Sequence, residues 1–158
     1  MRDQTIVGIA QMAVCRAPRG LACLGLGSCV AVILYDPAMK LGGMVHILLP
    51  KAPHKCDSDE KYADTGTRKL VGELIAKGAK KERLVAKLVG GAQMFPNLSL
   101  SISDIGNHNI DEVKKTLKEL GVKLVAEETQ GNRGRSAYLN TENGSVTIET
   151  AFSATKTI

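Results

Sequence analysis

Two neighbouring stretches decide how this chain reads: Leu24-Gly25-Leu26-Gly27-Ser28-Cys29-Val30-Ala31-Val32 and Gly42-Gly43-Met44-Val45-His46-Ile47-Leu48-Leu49-Pro50. From Cys29 to Tyr35 the residues are continuously apolar, the pattern of a strand covered on both faces. Asp36-Pro37-Ala38-Met39-Lys40 then supplies turn chemistry, and Gly43 to Leu49 returns as a second strand ended by Pro50. The two runs predict a hairpin. If its turn centres between Pro37 and Lys40, the residue facing Cys29 lies between His46 and Pro50. Cysteine and histidine are then direct or diagonal neighbours wherever the register puts them on one face.

A cysteine attacks a carbonyl as its thiolate and needs a group to take its proton. Imidazole is the side chain whose unperturbed pKa suits that task near neutrality. Cys29 and His46 are therefore a candidate nucleophile and base. The small residues Gly27 and Ser28 directly before Cys29 let the backbone turn sharply, and amides there could hold an oxyanion. The plainer alternatives are a glycine loop before a core strand and a core histidine satisfied by a hydrogen bond. His54 and His108 lie in polar contexts and read as surface residues.

The length of 158 residues suits a single domain, 1–158, with a core of its own. Apolar residues make up 44% of the chain but aromatics only 3%, so the core must be built from Val, Leu, Ile and Ala, and rings for stacking nucleic-acid bases are scarce. The net charge of +5, from 21 Lys+Arg against 16 Asp+Glu, is spread along the chain and favours an acidic protein partner at least as well as nucleic acid. No apolar run approaches the ~20 residues of a membrane helix, and the start of the chain has no signal-peptide pattern, so a cytoplasmic protein without membrane insertion is expected. The four cysteines form no CxxC pair and no zinc-like cluster with histidine, and Cys15, Cys23 and Cys56 read as small hydrophobes.

Elsewhere, Thr5 to Ala10 and Leu21 to Leu24 are short strand candidates, and a helical pattern runs from about Asp59 to a cap at Gly78. Leu84 to Val89 is a strand, a second helix follows Asn107 or Asn109 and stops at Gly121, and Val122 to Glu127 is a strand again. Tyr138 to Asn140 and Ser145 to Ile148 flank a Glu142-Asn143-Gly144 turn as a last hairpin. Strands with two helices predict an α+β fold with a mixed sheet core. Gly131-Asn132-Arg133-Gly134-Arg135-Ser136 puts two arginines on a turn, suited to a carboxylate or phosphate if it is more than a solvated loop.

Six co-linear segments, Leu24 to Val30, Gly43 to Pro50, Lys61 to Asp64, Gly90 to Phe95, Asn107 with Asn109, and Gly131 to Ser136, resemble the CheD family of chemoreceptor glutamine deamidases. The resemblance implies a sandwich of mixed β-sheets with helices packed outside, similar to the deamidases of the cytotoxic necrotizing factor type. It implies hydrolysis of glutamine side chains to glutamate in the cytoplasmic helices of methyl-accepting chemotaxis receptors, with a CheC-type phosphatase as partner and no metal or organic cofactor. By the family pattern Cys29 is the nucleophile and His46 the base. The family commonly has threonine where this chain has Cys23, and a thiol there would hold the imidazole more weakly than a hydroxyl. Two alternatives remain: a binding module that docks on the phosphatase and receptors with weak or no catalysis, and thiol chemistry directed at peptide cleavage or acyl transfer.

Overall fold

A computed structural model describes residues 3–94 and 104–158 of the chain, so Phe95 of the Gly90–Phe95 segment lies outside the described residues. Along these residues run β1 (Gln4–Ile6), β2 (Met12–Arg16), β3 (Gly20–Leu26), β4 (Val30–Asp36), β5 (Leu41–Ile47), α1 (Ala63–Ala76), β6 (Val85–Gly90), α2 (Ile105–Leu120), β7 (Lys123–Thr129), β8 (Arg135–Asn140), β9 (Val146–Thr150) and β10 (Lys156–Thr157). They build two five-stranded sheets, ordered β1-β3-β8-β9-β10 and β2-β5-β4-β6-β7. Both sheets are mixed: β1 runs parallel to β3, and β7 parallel to β6.

The predicted hairpin is the centre of the second sheet. Its ladder runs from Val30 opposite Ile47 to Asp36 opposite Leu41. Every residue of β4 and β5 is buried, because each strand is covered on both faces. Val30, Val32, Leu34, Leu41, Val45 and Ile47 pack with Leu70 and Leu74 of α1 and Val113 and Leu117 of α2. Ala31, Ile33 and Met44 pack instead with Leu21, Leu139 and Ile148 of the first sheet. The result is three layers, sheet on sheet on helices. Each fully buried Leu, Val or Ile in these seams contributes roughly 1.5–3 kcal/mol.

Gly42 and Gly43 show why this strand admits no side chain midway. A Cβ on Gly42 would stand 2.7 Å from a methyl of Leu139, and one on Gly43 would stand 2.7 Å from a methyl of Leu70. The first sheet and α1 thus close on β5 from opposite sides at one level. The turn at 37–40 is held by Asp36, whose carboxylate accepts from the N–H groups of Ala38 (3.0 Å), Met39 (3.4 Å) and Lys80 (3.1 Å) and from the Arg83 guanidinium at 2.8 Å.

Several boundaries differ from the sequence reading. The strand expected over Thr5 to Ala10 stops at Ile6, because Gly8 to Gln11 forms a turn closed by Gln11 N–H on the Gly8 carbonyl, 3.1 Å, with Ala10 at φ 59°. That turn carries the chain from the first sheet to β2, a strand not predicted, on the edge of the second. The first helix starts at Ala63 rather than near Asp59. Leu48 and Leu49 both donate to the Lys61 carbonyl, so residues 61 and 62 are held against the end of β5, and Tyr62 is extended. The caps at Gly78 and Gly121 stand as predicted, with φ 108° and 74°.

Burial acts against the charge on Asp36, yet the Arg83 side chain and the backbone donors outweigh it and hold the carboxyl below its ordinary pKa. A depressed folded-state pKa gives stability that is present above the unfolded value near 3.8 and is lost as pH falls through the folded value. Asp36→Ala is expected to cost about 3 kcal/mol by urea unfolding at neutral pH and to flatten the acid limb of the stability curve. An unchanged acid limb would place the acid-sensitive contact elsewhere.

Candidate active site

Cys29 stands immediately before β4, at the end of a loop tied down on three sides. The Gly91 N–H donates to the Cys29 carbonyl and the Ala92 N–H to the Gly27 carbonyl, each at 2.8 Å. The Asn109 amide donates to the Ser28 carbonyl at 2.9 Å. The close approach requires glycine at the end of β6: Gly90 has φ 113°, and a Cβ there would lie 2.3 Å from the Cys29 carbonyl oxygen. The carbonyls of residues 27–29 are thereby all engaged. In contrast, the N–H groups of Ser28 and Cys29 donate to no backbone carbonyl among the described residues.

His46 lies near the far end of β5, fixed by the crossing between the sheets. Its N–H donates to the Gln11 carbonyl at 3.1 Å, and its carbonyl accepts from Ala10 at 2.9 Å. Its ring nitrogen Nδ1 lies 3.0 Å from the Val7 carbonyl. A carbonyl only accepts, so Nδ1 carries the proton and Nε2 keeps a free lone pair.

Ala31 faces His46 and Val30 faces Ile47, so the next position places Cys29 opposite Leu48 and diagonal to His46. Alternation along β4 and β5 sends Cys29, Ala31 and Ile33, and likewise Met44 and His46, to the side of the first sheet. Both side chains are nearly enclosed, with 8% of Cys29 and 4% of His46 exposed. Burial pushes the Cys29 thiol above its ordinary pKa, its own backbone N–H offsetting part of the effect. Burial likewise pushes the His46 imidazole down, with the Val7 carbonyl opposing. Burial thus acts against the charged form of each side chain.

Cys23 lies fully buried on β3, in the apolar seam that also holds Cys29. Burial first, and the neighbouring Cys29 second, push its thiol up to about 12, so it stays protonated. Gly27 and Ser28 sit directly beside Cys29. Cys15 on β2 is half-buried against the edge of the same seam, and the Cys56 thiol points to the Asp59 carboxylate at 3.5 Å. His54 and His108 are exposed. Among the described residues no three His, Cys, Asp or Glu side chains gather as metal ligands.

Three contributors have roles that the sequence reading did not assign. The Val7 carbonyl has no side-chain signature at all. Arg135, on the turn-and-strand segment with two arginines, is buried and donates to the Gly90 carbonyl at 3.2 Å, bracing the strand end that holds the Cys29 loop. Asn109 occupies the buried face of α2 and bridges two elements, since its amide donates to both the Ser28 and Leu48 carbonyls, the latter at 3.1 Å. The signal for it was a polar residue one place before Ile110 on an inward-facing stripe. Asn109→Ala strips both carbonyls of their donor and is expected to lower stability by about 1–3 kcal/mol in thermal or urea unfolding. A loss near zero would show that the two carbonyls need no such bridge.

Known proteins bear on this geometry in two ways. A family model described as CheD chemotactic sensory transduction matches residues 48–150. Proteins named as chemoreceptor glutamine deamidase CheD, or as probable ones, are similar over most of the chain. The Thermotoga maritima protein is 48% identical over 143 residues, 90% of this chain and 89% of its own. That of Caldanaerobacter subterraneus is 43% identical over 147 residues, 91% of each chain, and that of Pyrococcus abyssi 46% over 149 residues, 92% of this chain and 91% of its own. The family match begins just past His46, but the uncovered tenth of the chain is too short to reach Cys23, Cys29 or His46 from either end of the Thermotoga alignment. Among solved structures, a Neisseria meningitidis protein of the DUF152 family matches with a TM-score of 0.54 at 11% identity, covering 82% of this chain and 64% of that one, a likeness of fold. With a family model matched over residues 48–150 and relatives at this identity over about nine-tenths of it, the chain belongs to the CheD family of chemotactic sensory transduction.

Proposed function

We propose that this protein hydrolyses glutamine side chains in methyl-accepting chemotaxis receptors to glutamate and ammonia, with Cys29 as nucleophile and His46 as base. The observation that carries the reading is the 3.0 Å contact of His46 Nδ1 with the Val7 carbonyl. Its Nδ1–H is committed to the Val7 carbonyl, which leaves Nε2 as a proton acceptor on the face of the hairpin that Cys29 shares. The names of the relatives supply the substrate, a chemoreceptor glutamine.

In this mechanism His46 Nε2 takes the Cys29 proton as sulfur attacks the amide carbon of the substrate. The N–H groups of Ser28 and Cys29 receive the oxyanion. Protonated His46 gives its proton to the departing ammonia, leaving a thioester. Water then attacks that thioester, losing a proton to His46, and glutamate leaves as the thiol is restored. Val7 performs the orienting role that the family pattern gives to residue 23. Cys23, protonated and buried, acts through volume and packing, and its thiol is a weaker partner than the family's hydroxyl. The activity itself needs no metal or organic cofactor. Docking of a CheC-type phosphatase and a cytoplasmic location follow from the family reading, and no helix among the described residues is long and apolar enough to cross a membrane.

The test is incubation with a receptor cytoplasmic fragment, with peptide mass spectrometry scoring Gln-to-Glu conversion. Wild type is expected to convert selected glutamines, folded Cys29→Ala none, and His46→Ala about 10²–10⁴-fold more slowly. No conversion by the wild type would favour the binding module, and cleaved or acyl-transferred peptides would favour the other thiol reactions.

The pair's pH behaviour follows from its burial. His46 must be neutral to act, and its pKa is lowered from 6.5, so activity should fall only below the ordinary imidazole range. The Cys29 thiol is raised from 9.0, so alkylation by iodoacetamide should climb across the alkaline range with a midpoint above that value. A plateau of Cys29 alkylation at mildly acidic pH would reveal a preformed thiolate–imidazolium pair and overturn the neutral resting state.

A further inference from the structure

A cavity of about 300 Å³ opens beside the Gly131–Arg135 turn, lined among others by Glu128, Gly131, Arg133, Arg135, Thr150 and Lys156. Arg135 forms its floor. Only 8% of this residue is exposed, and its guanidinium donates to the Gly90 carbonyl at 3.2 Å and to the Gln130 carbonyl at 2.5 Å. No carboxylate lies within ion-pairing distance of it among the described residues. Gly131, at φ 72°, leaves it open, because a Cβ there would stand 3.0 Å from Arg135 Nη2. The one carboxylate of the wall, Glu128, is engaged by Lys156 at 2.7 Å. Three cations against one paired carboxylate leave the cavity with an excess of positive charge. Burial disfavours the charged form of Arg135, and the more distant Glu128 offsets only part of that effect. A buried guanidinium with unused N–H groups is matched best by a planar oxyanion accepting two of them.

The segment 90–93 links the cavity to the Cys29 loop. The Gly90 carbonyl that Arg135 holds belongs to the residue before Gly91, whose N–H holds the Cys29 carbonyl. The Gln93 N–H donates to the Gly131 carbonyl at 2.8 Å, and the Gln130 N–H to the Gly90 carbonyl at 3.1 Å. Gly91 and Ala92 hold the Cys29 loop while Gly90 and Gln93 hold the turn that lines the cavity, so the two lie on either side of one short segment.

We propose that the cavity is a carboxylate subsite, which receives a glutamate or aspartate side chain of the polypeptide that presents its glutamine to Cys29. Arg135 is the fixed anchor, and Arg133 and Lys156 are the rim cations that draw the acidic side chain in. The subsite rests on the deamidase reading and sharpens it: the enzyme selects glutamines that have an acidic residue at a set distance along the substrate. The planar fork of Arg135 matches the two coplanar oxygens of a carboxylate, so an acidic side chain is the ligand assigned here.

The experiment uses labelled synthetic peptides with one glutamine and a single glutamate walked along the sequence, bound to Cys29→Ala protein and read by fluorescence anisotropy. One spacing is expected to bind about tenfold more tightly than the peptide without glutamate, and more weakly as salt rises. Arg133→Glu, at the exposed rim and checked for folding by circular dichroism, should bring that ratio close to one. Equal affinity at every spacing would overturn the subsite, as would a preference that survives in folded Arg133→Glu. Displacement of the acidic peptide by inorganic phosphate but not by acetate at equal ionic strength would overturn the carboxylate assignment. Turnover of the same peptides by the wild type is scored separately by mass spectrometry. Failure there removes the deamidase reading, while the anisotropy measurement still decides whether the cavity holds a carboxylate.

Discussion

The register of the β4–β5 hairpin is the constraint on which the rest of this molecule depends. A strand presents alternate residues to opposite faces, so a slip of one residue would keep the hairpin but send His46 toward the helices while Cys29 remained in the seam between the sheets. Two features hold the register. Asp36 gathers turn amides and the Arg83 guanidinium at one end. Midway, Gly42 and Gly43 leave room for Leu139 on one side and Leu70 on the other, and a slip of one residue would drive either Leu41 against Leu139 or Met44 against Leu70.

Placing the candidate pair inside a seam has a chemical consequence. Burial opposes thiolate and imidazolium alike, so the low-dielectric setting favours the neutral form of each. In such a pair the orientation of the imidazole matters more than its charge. A backbone carbonyl is a sound device for that purpose, because Val7 is held by its own N–H on the Ala22 carbonyl at 2.7 Å and so belongs to the first sheet. The ring sits on one sheet and is oriented by the other, which makes the packing of the two sheets part of the site.

The end of β6 joins this pair to the basic turn that follows β7. Gly90 and Gly91 let the strand end approach the Cys29 loop, and Arg135 supports the same strand end from behind. A long side chain with a buried, delocalised charge is an expensive brace, and its cost is offset where the charge also meets a ligand. The excess of positive charge in the whole chain, +5, is consistent with a surface that meets acidic polypeptides.

The elements legible in the sequence were those whose pattern is local. The apolar run of β4, the turn at 36–40, the inward stripes of the two helices and their glycine caps are each written in consecutive residues, and Cys29 and His46 stand out as reactive types within apolar runs. The parts that only the tertiary structure decided are non-local. The crossing at Gly8–Gln11 that makes β2 an edge strand, the start of α1 at Ala63 and the bridging by Asn109 all depend on partners far along the chain. The orienting group of His46 is a main-chain carbonyl, which every residue carries, so no residue type could announce it. The sequence by itself determined which side chains are able to react; the three-layer packing decided what surrounds each of them and how strongly each is desolvated, because both are properties of neighbours brought together by folding.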